Sequence, residues 1–119
     1  MRSGRGLVAL ALAALSLAPG VSAGAPAQPP TVVRLGEYFY RPAVATVRVG
    51  QRVRFVNVGK LDHTVADVDA RGRLRGTVIR PRLLSRGQAQ TVTFRAAGVV
   101  RYVCTLHPSR MRGVVRVTR

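Results

Sequence analysis

Apolar and polar residues alternate in short runs along most of this chain, and turn residues separate the runs. A period of two predicts half-buried strands. The clearest case is Ala45-Thr46-Val47-Arg48-Val49, then the turn Gly50-Gln51, then Arg52-Val53-Arg54-Phe55-Val56-Asn57. Val47, Val49, Val53 and Phe55 are expected to face one core while Arg48, Arg52 and Arg54 face water. That pattern predicts an antiparallel sheet with one solvated face. Similar runs occur at 31–35, 64–68, 89–94, 99–104 and 113–119, with Val92, Phe94, Val115 and Val117 inward. Alternation places Val100, Tyr102 and Cys104 on one side. Residues 37–42 carry aromatics into a bend ending at Pro42, which marks an edge or corner. Residues 58–62 form a loop, 69–76 a polar connection and 77–84 an irregular stretch in which Pro81 argues against a central strand. About seven short strands separated by turn signals predict an all-β chain folded as a β-sandwich.

The first residues follow another pattern. Arg2 and Arg5 precede an apolar run from Leu7 to Leu17, Pro19-Gly20 breaks it, and Val21-Ser22-Ala23 is a small-residue cleavage site. The run is short of the ~20 residues that span a bilayer. Residues 1–23 are therefore expected to be a signal peptide, with cleavage after Ala23 or Ala25, and the protein to be extracytoplasmic (periplasmic or secreted) without stable membrane insertion after cleavage. Residues 24–30, rich in Ala, Pro and Gln, are expected to be a flexible lead-in to one domain at 31–119.

Composition adds a strong charge. The chain has 20 Lys and Arg against 4 Asp and Glu, a formal charge of +16, and Lys60 is its only lysine. Such a surface attracts anionic partners over roughly 8–10 Å. The arginines are spread along the chain and not grouped with aromatics, so no nucleic-acid face is expected. Three Tyr, three Phe and no Trp leave the core mainly to Val, Leu and Ala. The four acidic residues offer no convincing acid–base pair, and the cysteine has no Asp or Asn relay, so no catalytic constellation is read here.

The candidate chemistry lies at the end of the chain. Cys104, the only cysteine, is followed by His107 and then Met111, the only methionine besides Met1; the other histidine, His63, is far upstream. A single cysteine excludes an intramolecular disulfide. A strand ending at Cys104 can hold a thiolate, and a tight loop can return His107 and Met111 to the same point. A thiolate, two imidazoles and a weak thioether suit one copper ion cycling between Cu(I) and Cu(II). Zinc also accepts His and Cys with a water or carboxylate, but a methionine in the fourth position argues against it.

With these residues in place, the chain resembles the cupredoxins of the plastocyanin/amicyanin type. The resemblance rests on Tyr38-Phe39-Tyr40-Arg41-Pro42, Val47 to Val53, Asn57, Asp62-His63-Thr64-Val65, residues 94–98, and Tyr102-Val103-Cys104-Thr105-Leu106-His107-Pro108 through Met111-Arg112-Gly113. It spans about residues 31–118, and the stretch at 74–84 matches poorly. The resemblance implies a Greek-key sandwich with one type 1 copper near one end, bound by His63, Cys104, His107 and Met111. It further implies that both histidines bind through Nδ1, that His107 is the solvent-side electron port, and that the Thr64 backbone N–H points at the cysteine sulfur. The family mostly places two or four residues between the loop histidine and methionine, and here there are three. Met111 is therefore the ligand whose approach the loop decides, with a backbone carbonyl near Asp62 as the alternative axial donor. Asp62 itself is expected to be solvated.

Three functions are compatible with this reading. The first is a monomeric electron carrier between larger redox proteins with acidic docking surfaces, its port ringed by Leu61, Leu106 and Pro108. The second is an extracytoplasmic copper-binding or delivery protein with the same ligands and no redox circuit. The third is an arginine-driven anion binder indifferent to copper. A copper enzyme would need more histidines than the two present.

Overall fold

The computed structural model describes residues 28–119. The leader read at 1–23 and the first part of the lead-in lie outside the described residues. Eight strands follow in order: β1 (Thr31–Gly36), β2 (Phe39–Arg41), β3 (Val44–Arg48), β4 (Arg52–Asn57), β5 (Ala66–Val68), β6 (Ala89–Thr93), β7 (Gly98–Val103) and β8 (Arg112–Thr118). They form two four-stranded sheets in the orders β2-β1-β4-β6 and β3-β8-β7-β5. The all-β sandwich expected from the alternation is present. The eighth strand, β2, is the aromatic stretch read as a bend. It pairs antiparallel with β1, Leu35 opposite Tyr40, and turns Tyr40 into the core.

The pairing departs from the antiparallel-sheet reading of residues 45–57. β3 and β4 lie in different sheets. β3 runs parallel to β8 and β4 parallel to β1, so the sheets are mixed. Gly50, at φ 88°, makes the turn between the sheets. Val49 consequently lies outside the core and is exposed, while Val47, Val53 and Phe55 are buried as expected. Only β1–β2 and β7–β8 join consecutive strands within one sheet; every other connection crosses the sandwich. This Greek-key crossing brings the 58–65 segment and the β7–β8 connection together.

The strand read at 64–68 shortens to Ala66–Val68, which pairs with β7. His63 instead bridges Leu84, its N–H donating to Leu84 O at 3.0 Å and its O accepting from Leu84 N at 2.8 Å. Residues 63–67 are all buried, so no alternation marks this crossing. The irregular 77–84 stretch is organised by Asp67. This buried carboxylate accepts from the amides of Val78 (2.9 Å) and Ile79 (2.7 Å), and Ile79 and Leu84 enter the core.

Tyr102 occupies the middle of the core, edge-on to Tyr40 and Phe55 at 4.8 and 5.3 Å between ring centroids. It lies opposite Gly113 on β8, where an added Cβ would fall under 3.0 Å from the ring and hydroxyl atoms. Its hydroxyl is buried without a hydrogen-bond partner, and burial pushes the phenol above its usual range. An unpartnered buried hydroxyl contributes nothing to offset its desolvation. Tyr102→Phe is therefore expected to keep or raise the melting temperature, the gain being up to about 1 kcal/mol. A clear drop in a thermal scan would contradict this.

Candidate metal centre

The β7–β8 connection, residues 104–111, is the loop that carries three of the four candidate ligands. Its ends are tied by Cys104 N donating to Met111 O at 3.1 Å. Inside it, His107 N donates to Cys104 O (3.2 Å) and Met111 N to His107 O (3.0 Å). With three intervening residues, that last bond closes one helical-type turn. The turn brings Met111 back beside the start of the loop, and both Met111 and Cys104 are fully buried in the core cluster. The unusual spacing is thus closed by the backbone without leaving Met111 at the surface. No disulfide engages Cys104.

His63 arrives from the other side, on the loop after β4. Asn57, buried at the end of that strand, pins the loop: its Nδ2 donates to Leu61 O and Leu84 O, both at 2.8 Å, and its Oδ1 accepts from Gly59 N at 2.8 Å. The His63 ring is fully buried and places Nδ1 4.0 Å from Cys104 Sγ. Its outer nitrogen, Nε2, lies 3.1 Å from Glu37 Oε1. A carboxylate accepts, so this contact favours a proton on Nε2, with Nδ1 on the side of the sulfur. The Leu61 amide holds the Glu37 carboxyl below its usual range, outweighing desolvation, with help from His63 and the Lys60 amide.

The sulfur is addressed by Thr64. Its N–H donates to Cys104 Sγ at 3.4 Å and its hydroxyl lies 3.8 Å from the same atom. Thr64 is fixed in turn, since Tyr40 OH donates to its carbonyl at 2.6 Å and Thr105 N to its Oγ1 at 2.8 Å.

His107 is partly exposed, its ring centroid 5.7 Å from that of His63. Tyr38 packs edge-on against it at 4.7 Å, and the Arg110 guanidinium sits 4.1 Å over the Tyr38 ring. Leu61, Leu106 and Pro108 are exposed, as is Asp62. Among the described residues, no three His, Cys, Asp or Glu side chains form a closed metal-holding group by themselves. The tight pair is His63 with Cys104, His107 is the neighbouring ring, and Met111 is a sulfur donor outside those residue types.

The donor chemistry fits copper better than zinc. The carboxylate that contacts the pair, Glu37, is engaged behind the His63 ring, on the nitrogen turned away from Cys104. What remains is a buried sulfur, two imidazoles and a buried thioether, a set of soft and borderline donors. Glu37 is a residue at this centre that the sequence reading did not single out, and Tyr38 was named only within the aromatic run. The available signal was the rarity of acids: Glu37 is one of four in the chain and adjoins the aromatic run.

Residues 30–118 match the family model described as copper binding proteins, plastocyanin/azurin family. Amicyanin of Paracoccus versutus is 33% identical over 99 residues, covering 83% of this chain and 72% of that protein. A solved amicyanin variant in its Cu(I) form is 30% identical, covering 76% of this chain and 84% of the other at a TM-score of 0.64. A purple cupredoxin from Nitrosopumilus maritimus shares the fold at 24% identity and a TM-score of 0.69, covering 74% of this chain and 99% of that one.

Proposed function

The chain belongs to the plastocyanin/azurin family of copper-binding proteins, and on that premise we propose that it is an exported carrier of single electrons between larger redox proteins. Its cofactor is one type 1 copper ion, and His63, Cys104, His107 and Met111 are the residues that would hold it. Bound there, copper supplies a one-electron Cu(I)/Cu(II) couple, the chemistry to which this donor set is suited. The observation that carries the reading is the His63 Nδ1–Cys104 Sγ pair with the partly exposed His107 ring beside it.

The chain's own residues perform the remaining work. Thr64 aims and stabilises the sulfur, Asn57 holds the His63 loop, and the closed 104–111 turn fixes His107 and Met111 relative to Cys104. Such a constrained surround resists rearrangement between oxidation states. His107 offers the route outward, because His63, Cys104 and Met111 are fully buried. That burial also speaks against copper delivery, which requires ligands accessible to an acceptor protein.

Loading the protein with Cu(II) tests the reading. An intense visible absorption, a matching EPR signal and a reversible one-electron potential are expected. Tight Cu(I) binding without a stable coloured Cu(II) form would overturn it in favour of delivery. Partners are expected to present acidic surfaces to a port edged by Lys60, Arg110 and Arg112, all exposed. Raising the salt from about 0.1 M to 1 M shortens the screening length from about 10 to 3 Å. Stopped-flow transfer to an acidic partner should then slow by about tenfold or more. A flat salt response would remove the steering argument.

A further inference from the structure

We propose that Glu37 is a positioning residue for the metal centre, holding His63 in the Nε2–H tautomer so that Nδ1 is presented toward Cys104. The proposal deepens the copper reading and rests on it. Glu37 follows β1 and lies 26 residues before His63, in a different part of the chain. One of its oxygens, Oε1, serves two donors: the His63 ring nitrogen at 3.1 Å and the Leu61 amide at 2.7 Å. The carboxylate is therefore tied both to the ring and to the loop that delivers it. Two contacts in one rigid unit leave the imidazole little freedom to turn over.

Gly59 makes room for this arrangement. Its φ is not positive, so backbone strain does not call for glycine there. It is buried, and an added Cβ would lie under 3.0 Å from three carboxyl atoms of Glu37. Any side chain at 59 would thus push the carboxylate off the ring. A glycine that is needed for space, under a carboxylate that bonds a candidate ligand, is a paired device. A carboxylate on the far nitrogen of a ligating histidine fixes the tautomer and raises the basicity of the ligating nitrogen. With the Glu37 side chain 30% exposed, its charge is partly screened, and the geometric effect is the dominant one.

The test compares Glu37→Ala, Glu37→Gln and Gly59→Ala with the unaltered protein. In the reduced, metal-free state, 15N NMR of the imidazole nitrogens reports the tautomer directly. The unaltered protein is expected to show a single Nε2–H form. Glu37→Ala and Gly59→Ala are expected to show a mixture, although the second retains the carboxylate. Glu37→Gln keeps an acceptor oxygen and is expected to restore the single tautomer. In the loaded proteins, Cu(II) affinity should fall ten- to a hundredfold in the first two variants and recover substantially in Glu37→Gln. Unchanged tautomers in both Glu37→Ala and Gly59→Ala would overturn the proposal, as would a Glu37→Gln no closer to the unaltered protein than Glu37→Ala. If Gly59→Ala fails to fold, the two Glu37 variants decide the matter. Because the NMR reading needs no metal, a failure of the unaltered protein to bind copper would sink the functional reading and leave the tautomer result standing.

Discussion

Cys104→Ala is expected to abolish the intense visible absorption of the Cu(II)-loaded protein while leaving the metal-free fold largely intact. Cys104 is fully buried and sits at the end of β7, where its sulfur receives the Thr64 N–H. Alanine removes that acceptor and opens a small void in the core cluster. Both effects are modest for one atom, on the order of 1–2 kcal/mol. The chemical loss is far larger, since no other thiol exists in the chain and the thiolate is its only strong soft donor. Ligand linkage separates the two effects. Adding Cu(I) should raise the melting temperature of the unaltered protein, because a ligand at 100 times its Kd stabilises by about 2.7 kcal/mol. The variant should show little of that rise. Absorption spectra and paired thermal scans check this, and a variant that stays intensely coloured would refute the assignment of Cys104.

Asn57→Ala is expected to damage the fold severely, and its damage reaches the site. The amide makes three hydrogen bonds, two buried, to Leu84 O and from Gly59 N, and one partly buried, to Leu61 O. Alanine leaves all three backbone groups without that partner. Unsatisfied buried groups cost about 1–3 kcal/mol each, and water entering the gap recovers part of it. A net loss of about 3 kcal/mol is a large share of the roughly 5–15 kcal/mol that stabilises a domain. For this chain size that lowers the melting temperature by more than about 10 °C. The loop that slackens also carries Leu61, whose amide bonds Glu37, and precedes His63, which pairs with Leu84. Copper affinity should therefore fall together with stability. Denaturant titration and metal titration of the same variant test both parts. A loss under about 1 kcal/mol would mean that the loop is held by something else.

The difference between Asn57 and Glu37 illustrates what a sequence can disclose. Asn57 belongs to a stretch that resembles a known family, and its side chain acts on residues two, four and twenty-seven positions away. Glu37 acts on a ring 26 residues downstream, through a space left by Gly59. Nothing in local periodicity marks such a contact. Tyr38 is a similar case: in sequence it is one of the aromatics entering a bend, and in the fold it packs both on the core and against His107.

What the sequence alone determined is most of the strands and the set of candidate donors. Alternation of period two is a local property, because each side chain's face follows from its neighbour's, and it located the core faces of β4, β6 and β8 within a residue or so. The four candidate donors stood out because Cys, His and Met are scarce here and three of them crowd into eight positions. Only the tertiary structure decided which strands are neighbours. It placed β3 and β4 in opposite sheets and made two of the pairings parallel. It turned 63–65 out of the ladder to reach Leu84 and Cys104, and it set Glu37 behind His63. The physical reason is common to all of these. Which face a residue turns is settled over two or three residues, whereas which partner it meets depends on how distant segments share one buried volume.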